Sequence, residues 1–403
     1  MAPPAPWASI PPELLLLISG GLTHLESYSS ARGVCTAWRA ALPPPIPSLL
    51  TVSADDPDPH HYRHRPRVSA VFLQARRSFP LAALRGGGSR CVGSSNGWLA
   101  VDSRPYYQGP TAYYPYPEIY LVIPFSGGGG GEGEVVVPLL PLRNDGKPVP
   151  KIVFAPRLTP EDYVAVAICD LRRLAYTKTR DMKWMILDVP IGERDRLVDL
   201  AFDAGAGRVY CVTLLGDVHV LHIPRRQRRR PVIEPLAERV AGGGLPYDPA
   251  AAYAPPYDTA SKLTGAKHVF FFGGDLYQVW RNTSTCAVSW AMHDGGGRFG
   301  MTKDEVFVLK YDPERRPCWD VVKDLGGCSV FVGKNQPVVL RPEEDAPALR
   351  PNCVYWINEQ SAKEPMVFDM ATGIVESQLF ILPPTKHSIP KAHQFAGTSW
   401  MTR

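Results

Sequence analysis

The sequence has no long apolar stretch and no closely paired cysteines. Near the N-terminus its longest apolar run is Leu14 to Ile18, far shorter than the roughly 20 residues that cross a bilayer and too short for the core of a signal peptide. The eight cysteines are scattered without any C-x-x-C pair, which favours reduced, buried thiols over a disulfide framework. We therefore expect a protein of the cytosol, the nucleus or both.

Several motifs of known enzymes are also missing. The chain contains no H-E-x-x-H metal motif and no Walker phosphate loop. Its pure glycine run, Gly127 to Gly131, is followed by the strand-like Val135-Val136-Val137, whereas a phosphate cradle requires a helix at that place. The run is therefore interpreted as a hairpin loop, and the sequence predicts a protein without catalytic residues, cofactor or metal.

The excess of positive charge is small. Lysine and arginine number 44 against 39 acidic residues, which gives a net charge of +5 and does not by itself indicate a nucleic-acid partner. One dense basic cluster spans Arg225 to Arg230 and includes Arg228 and Arg229. It can be a nuclear-import signal or a phosphate-binding patch, but its proline-flanked position favours a solvated loop between two strands.

The first forty residues follow a helical pattern. Pro11 and Pro12 suit the first turn of a helix, and apolar residues recur every four positions after them, at Leu14, Ile18 and Leu22. A second helix is predicted to place Tyr28, Ala31, Cys35 and Trp38 on one face. A unit this small cannot bury both stripes internally. The pattern alone leaves two alternatives, a helical cap packed on the rest of the protein or a separate docking module.

The residues themselves favour the docking module. Ile10-Pro11-Pro12-Glu13-Leu14-Leu15, followed by Ile18 and by Val34-Cys35-Thr36-Ala37-Trp38-Arg39, resembles an F-box, which in its family docks on the Skp-type adaptor of SCF (Skp–cullin–F-box) ubiquitin ligases. The resemblance assigns residues 5–45 to an F-box helical domain. It implies that the adaptor is contacted by Ile10, Pro11, Leu14, Ile18, Val34, Cys35 and Trp38.

Residues 46–90 are interpreted as a linker, because they mix charge and proline without periodicity. Three histidines in it, His60, His61 and His64, raise a zinc hypothesis. No second pair of ligands follows at a fixed offset, so a solvated loop is preferred and no metal is expected.

After Arg90 the sequence predicts strands. Short segments rich in β-branched and aromatic residues, such as Ile119 to Ile123 and Tyr163 to Ile168, alternate with turns containing Gly, Pro or Asp. Helical periodicity is hard to find there, which excludes a doubly wound α/β fold. Units of about 40–50 residues are typical of propeller blades. We predict a mainly β protein, with a β-propeller of six or seven blades over residues 91–385 and a C-terminal tail over 386–403.

Motifs in the second half agree with this prediction. The motifs are, in order, Trp319-Asp320-Val321-Val322, Leu325 to Gly333, Asn352-Cys353-Val354-Tyr355-Trp356 and Val367 to Gly373. Together with Gly93-Ser94-Ser95-Asn96-Gly97-Trp98-Leu99 near the start of the propeller, these motifs resemble the F-box-associated domain of plant F-box proteins, the KIB-type β-propeller, long catalogued as a domain of unknown function.

The two resemblances together predict a substrate-recognition subunit of an SCF-type E3 ubiquitin ligase without an active site of its own. Its expected partners are the Skp-type adaptor, the cullin and an unknown protein substrate, with no membrane and no nucleic acid. Substrate contacts are predicted at the aromatic loop residues Tyr113, Tyr114 and Tyr116 and at the basic Arg228 and Arg229. Loop residues without a binding role remain an alternative, as do an F-box scaffold that does not direct ubiquitylation and a propeller enzyme with a vestigial helical cap.

Overall fold

The structure is a computed structural model in which helices occupy the N-terminus and strands most of the rest. It describes residues 6–23, 25–42, 48–53, 67–72, 77–80, 90–95, 98–103, 119–122, 136–142, 149–156, 162–224, 230–237, 247–284, 286–292, 297–342, 349–357, 365–377 and 395–401. A 3₁₀ turn, Pro6–Ser9, precedes α1 (Pro12–Gly20), α2 (Leu25–Gly33) and α3 (Thr36–Ala41). No helix in these ranges is long and apolar enough to span a membrane.

Five blades of antiparallel strands follow, the fifth of them with one parallel pair. The first contains β4 (Arg90–Ser95), β5 (Trp98–Asp102), β6 (Ile119–Val122) and β7 (Val136–Pro138). The second contains β8 (Ile152–Pro156), β9 (Tyr163–Ile168), β10 (Arg173–Lys178) and β11 (Met185–Asp188). The third contains β12 (Leu197–Asp203), β13 (Arg208–Thr213), β14 (Val218–His222) and β15 (Val232–Pro235).

The fourth and fifth blades include additional elements. Two short helices, α4 (Pro249–Ala252) and α5 (Tyr257–Leu263), precede the fourth blade, which contains β16 (Ala266–Phe272), β17 (Asp275–Arg281), β20 (Val306–Tyr311) and β21 (Trp319–Val321). A separate hairpin of β18 (Val288–Ala291) and β19 (Arg298–Met301) is inserted in it. The fifth blade contains β22 (Ser329–Phe331), β23 (Val338–Leu340), β24 (Cys353–Ile357), β25 (Pro365–Asp369) and β26 (Ile374–Ser377).

The mainly β propeller is confirmed, but the predicted number of six or seven blades is wrong, because the described part of residues 91–385 forms five. The predicted number came from dividing the length of the propeller segment by a constant number of residues per blade, which assigned every residue to a blade. The fourth blade instead shares its part of the chain with α4, α5 and the β18–β19 hairpin, none of which the sequence pattern predicted. Fewer blades therefore fit into the same number of residues.

The stretches interpreted as linker and tail contain strands. β1 (Ser48–Ser53), β2 (Arg67–Phe72) and β3 (Arg77–Pro80) lie within residues 46–90, and β27 (Phe395–Met401) lies within residues 386–403. They form one four-stranded sheet, the terminal sheet, in which β1 pairs with both β2 and β27. Pairing between the two ends of a chain leaves no local sequence signal, so a search for periodicity does not detect it.

Apolar packing between neighbouring blades forms the core. All six residues of β9 are buried, which explains why that strand reads as a continuous apolar run instead of an alternating one. One apolar cluster joins the first blade to the second, and others join the second to the third, the third to the fourth and the fourth to the fifth. Gly93 allows the closest approach, since a Cβ there would lie 2.0 Å from the carbonyl oxygen of Ile152.

A buried ionic group lies where four blades meet. Lys151 Nζ is 2.5 Å from Asp199 Oδ1 and donates to the carbonyl oxygen of Gly333 at 2.8 Å. The other carboxylate oxygen, Oδ2, accepts from the backbone N–H of Val269 at 3.1 Å and lies 3.4 Å from His268 Nδ1. Burial alone would raise the pKa of Asp199, but Lys151 and His268 outweigh it, so the pKa lies below its usual value. The carboxylate therefore stays ionised and joins the second, third and fourth blades.

A segment after β22 connects the fifth blade to the first and third. Gln336 Nε2 donates to the carbonyl oxygen of Phe202 at 2.6 Å, and Gln336 Oε1 accepts from the N–H of Phe202 at 3.0 Å. The backbone N–H of Gln336 donates to the carbonyl oxygen of Ser94 at 2.7 Å. One side chain thus satisfies the backbone of a distant strand, which fixes the relative position of three blades.

Lys267 attaches α5 to the fourth blade. Its buried ammonium donates to the carbonyl oxygens of Ser261 and Thr264 and to Thr264 Oγ1, at 2.7, 3.0 and 2.7 Å. It also lies 4.9 Å from the centre of the Trp280 ring, a cation–π distance. Burial lowers the pKa of Lys267 to about 7.

We expect Asp199→Asn to destabilise the propeller by about 3–5 kcal/mol, because it leaves the Lys151 charge buried without a counter-ion. Urea unfolding followed by tryptophan fluorescence measures this. Asp275→Asn is the matched control, since it removes the carboxylate of the surface pair between Asp275 and Lys310 and should cost less than about 1 kcal/mol. Equal losses in the two variants would contradict a central role for the buried pair.

Lys267 should make stability depend on pH. An unfolded lysine has a pKa of about 10.4, so between about pH 7 and pH 10 the unfolded chain binds one proton more than the folded chain, and stability rises with pH. Lys267→Met should flatten the rise of the urea midpoint across that window, whereas Lys310→Met, a change at an exposed position, should preserve it. A rise that persists unchanged in Lys267→Met would show that another group causes it.

Candidate functional site

Helix α1 exposes most of its apolar residues. Proline at its first position and Pro11 before it begin the helix, and the carbonyl oxygen of Pro11 accepts from the N–H groups of Leu14 and Leu15 at 3.1 Å. Of its apolar side chains only Leu15 is buried. Leu14, Leu17 and Ile18 are 50%, 73% and 51% exposed, and their i, i+3, i+4 spacing places them together on one face.

Helix α3, which packs on α1, and the turn before it add further apolar residues. Val34 is 53% exposed, while Cys35, the N-cap residue of α3, and Trp38 are half-buried. Trp38 Nε1 donates to the carbonyl oxygen of Trp7 at 2.7 Å, which fixes the indole, and Trp7 itself is 61% exposed. We call the apolar residues Trp7, Leu14, Leu17, Ile18, Val34 and Trp38 the helical surface.

All seven residues predicted to contact an adaptor lie at or beside the helical surface. Pro11, Leu14, Ile18 and Val34 are exposed, and Ile10, Cys35 and Trp38 are half-buried. Trp7 and Leu17 were not among the predicted contacts. The signal for Leu17 was the unbroken run of leucines, since a helix that is apolar on every side cannot bury all of them in so small a unit.

One prediction about this unit is wrong in detail. Tyr28, Ala31, Cys35 and Trp38 do not share one helix, because α2 ends at Gly33 and α3 begins at Thr36. Cys35 between them is fully extended, and Tyr28 is buried. Arg32 connects the two helices, since its Nε donates to the carbonyl oxygen of Leu42 at 3.0 Å, and burial lowers the pKa of its guanidinium.

The predicted substrate contacts cannot be placed. Tyr113, Tyr114, Tyr116, Arg228 and Arg229 lie outside the described residues, as do the three histidines of the zinc hypothesis. Within the described ranges, no group of three or more His, Cys, Asp or Glu residues is arranged to hold a metal ion.

The buried ionic group contains residue types that can act in catalysis, but among the described residues its central ion pair is covered. The side chains of Lys151 and Asp199 are each 2% exposed. The central charges are therefore structural.

All eight cysteines are free and six of them are buried. Burial raises the pKa of Cys353 to about 11, so this thiol stays protonated and is a poor nucleophile at neutral pH.

One motif of known enzymes is present in the sequence. Gly93-Ser94-Ser95-Asn96-Gly97 matches the G-x-S-x-G spacing of a nucleophile elbow, which requires a turn from a strand into a helix. In the structure the pattern joins two antiparallel strands, since β4 ends at Ser95 and β5 begins at Trp98. Ser95 therefore belongs to a hairpin and lacks the geometry of that motif.

Comparison with known proteins identifies the propeller. No curated protein matches the sequence. Among solved structures, "Dihydro-heme d1 dehydrogenase NirN in complex with DHE" shares 13% identity over 89% of this chain and 75% of that chain, with a TM-score of 0.28, which is too low to support any inference. A family model described as the KIB1-4 beta-propeller matches residues 71–373, which include all five blades up to the turn before β26. The chain therefore belongs to the KIB1-4 beta-propeller family.

Proposed function

We propose that the protein is the substrate-recognition subunit of an SCF-type E3 ubiquitin ligase. In this proposal the helical surface binds a Skp-type adaptor and the propeller binds a protein substrate. The observation that carries the proposal is the helical surface itself, which is exposed in a unit that resembles an F-box and precedes a propeller of the KIB1-4 family.

The energetics of the helical surface favour a docking role. Burying one large apolar side chain contributes about 1.5–3 kcal/mol of free energy. The five most exposed residues of the helical surface are in contact with solvent, so much of this free energy is gained only when a partner covers them. Contiguous exposed apolar residues on a soluble protein typically mark an interaction site. The half-buried Trp38 is fixed by its hydrogen bond to Trp7, so the surface is preorganised and loses little conformational entropy on binding.

The proposed role requires no active site in this chain. Ubiquitin transfer takes place at another subunit, and the substrate subunit accelerates it by holding substrate lysines close to the loaded E2. Lys151 and Asp199 are buried and paired with each other, and the Cys353 thiol is protonated. Both observations are compatible with such a non-catalytic subunit. We propose action in the cytosol or the nucleus, with the adaptor, the cullin and the substrate as partners and without nucleic acid.

The alternative function is an F-box scaffold that binds the adaptor or a target without directing ubiquitylation. Both functions use the same helical surface, so its geometry does not discriminate between them. Co-purification of the cullin with the full chain, followed by ubiquitylation of a bound target, supports the ligase subunit. Adaptor binding without cullin supports the scaffold.

Exchanging Leu14 and Ile18 together for Asn should abolish adaptor binding. Removing a central apolar anchor from an interface often costs 2 kcal/mol or more, roughly thirtyfold in affinity, and both side chains are exposed, so the fold should be preserved. Titration calorimetry of the full chain with a purified Skp-type adaptor measures the change.

The matched control is Ile374→Asn, which changes an equally exposed apolar residue on β26 of the propeller and should leave adaptor affinity unchanged. If the double variant binds the adaptor as tightly as the natural sequence does, the helical surface is not the docking site.

Substrate contact by the aromatic loop remains a proposal. Exchanging Tyr113, Tyr114 and Tyr116 for Ser should prolong the lifetime of the substrate in cells, because the loop would lose its aromatic anchors. Adaptor binding should be unaffected. A normal degradation rate in this variant would assign substrate recognition to another part of the propeller.

A further inference from the structure

The outer edge of the second blade differs from the other outer edges. An exposed edge strand is a template for another strand, and proteins usually protect it with proline, charge or short length. β7 and β15 each end in proline, β21 has three residues, and β26 has Glu376 paired with Arg350 across 3.1 Å. β11 is as short as β15 and ends in the charged Asp188, but it has neither proline nor charge at Met185, Ile186 and Leu187.

The pairing register shows which backbone groups of β11 face outward. Val189 lies opposite Arg172 and its N–H donates to the carbonyl oxygen of Arg172 at 2.9 Å, so hydrogen-bonded pairs alternate from there along the ladder. Met185 and Leu187 consequently direct their N–H and C=O groups to β10, whereas Ile186 and Asp188 direct theirs away from the sheet. An incoming strand would find two outward residues in the correct spacing.

Side chains along this edge supply apolar contacts. Met185 and Ile186 are exposed despite being apolar, and so is Met182 just before the strand. At the other end of β11, Leu171, which is 62% exposed, and Val189 contribute to a cavity of about 570 Å³. The cavity is also lined by Asp170, Arg172, Arg173 and Asp188, so an apolar side chain can enter it beside charged groups.

Unpaired positive charge surrounds the edge. Some exposed basic residues of the propeller are paired, for example Lys310 with Asp275 and Arg315 with Asp320. Arg172, Arg180 and Lys183 form no ion pair with any residue that the structure describes. Charges at the rim of an interface steer a partner of opposite sign, and here they favour acidic residues.

We propose that the outer edge of β11 binds an extended, acidic segment of a partner protein that adds to the second blade as a fifth strand. Main-chain hydrogen bonds to Ile186 and Asp188 would hold the segment, and an apolar side chain would enter the cavity beside Leu171, the division of roles found in β-strand addition. At about 3.4 Å per residue, the four residues of β11 pair with a segment of similar length. The proposal is independent of adaptor binding by the helical surface.

The test uses the full-length chain and a library of random ten-residue peptides displayed on phage. We expect the selected peptides to alternate apolar residues with Asp or Glu. Ile186→Pro should weaken the best synthetic peptide about tenfold or more, because it removes an outward N–H and places a ring in the path of the incoming strand. The ladder to β10 is preserved, because that N–H does not contribute to it, and edge strands tolerate such prolines.

Three further measurements define the mode of binding. Ile186→Thr, which keeps the N–H, should weaken binding less than Ile186→Pro does. Ile233→Pro, an outward residue at the corresponding position of the protected edge β15, should have no effect. Exchanging Arg180 and Lys183 for Ser should weaken binding mainly at low salt, since exposed charges are screened beyond about 10 Å at 0.1 M salt.

Several outcomes would overturn the proposal. These are a failure to enrich any peptide, enrichment of basic peptides, and equal affinity for Ile186→Pro and the natural sequence. Two peptides N-methylated at alternate residues, one in each phase, block one edge of the strand each, and undiminished binding of both would exclude strand addition. A dimer of the chain that Ile186→Pro dissociates would assign the edge to a second copy. Variants of the helical surface should leave peptide affinity unchanged, so failure here and failure of the proposed ligase function are distinguishable.

Discussion

The carboxylate of Asp199 is the group on which the arrangement of the blades depends. It lies on β12 and reaches Lys151 before β8 and the backbone of Val269 on β16, so one charge connects three blades. A buried ion pair contributes little net stability compared with a well-packed apolar replacement, yet breaking it is costly. Its effect is therefore on geometry, since only one alignment of the inner strands satisfies both charges and the polar groups around them. Gln336 extends the same principle to the first and fifth blades, because its amide matches the backbone of Phe202.

The charges of Lys151 and Asp199 at the centre have partners, whereas some apolar side chains and backbone groups at the periphery of the described chain do not. The helical surface exposes apolar side chains that its own three helices are too small to cover, and the edge of β11 exposes backbone donors and acceptors together with unpaired basic side chains. The exposed apolar side chains of the helical surface favour a partner with an apolar groove, and the exposed edge of β11 favours an extended acidic segment. A propeller whose central carboxylate is held by Lys151 and the backbone of Val269 can bind partners at its outer parts without disturbing the alignment of its blades.

The errors of sequence interpretation have physical causes in particular residues. The predicted face with Tyr28 and Trp38 assumed an uninterrupted helix, but Gly33 ends α2 and the extended Cys35 begins a new direction. The number of blades was overestimated because α4, α5 and the β18–β19 hairpin take up part of the chain near the fourth blade. One of these elements, α5, is held by Lys267, which donates to two carbonyl oxygens and a hydroxyl at the end of that helix. A lysine in a strand pattern gives no indication that it is buried against a helix. The terminal sheet was missed because β1 and β27 meet from opposite ends of the chain.

The sequence by itself determined the class of fold, the position of the first N-terminal helix and the apolar stripe of Leu14 and Ile18, because short-range periodicity and proline placement encode these features directly. It also predicted the strand over Tyr163 to Ile168, because β-branched residues are frequent in that segment. Only the tertiary structure decided that Lys151, Asp199 and His268 meet, that the edge of β11 is open, and that Ile186 faces outward. These features depend on contacts between residues far apart in the chain, and the free energy that selects them arises only when all the blades pack together.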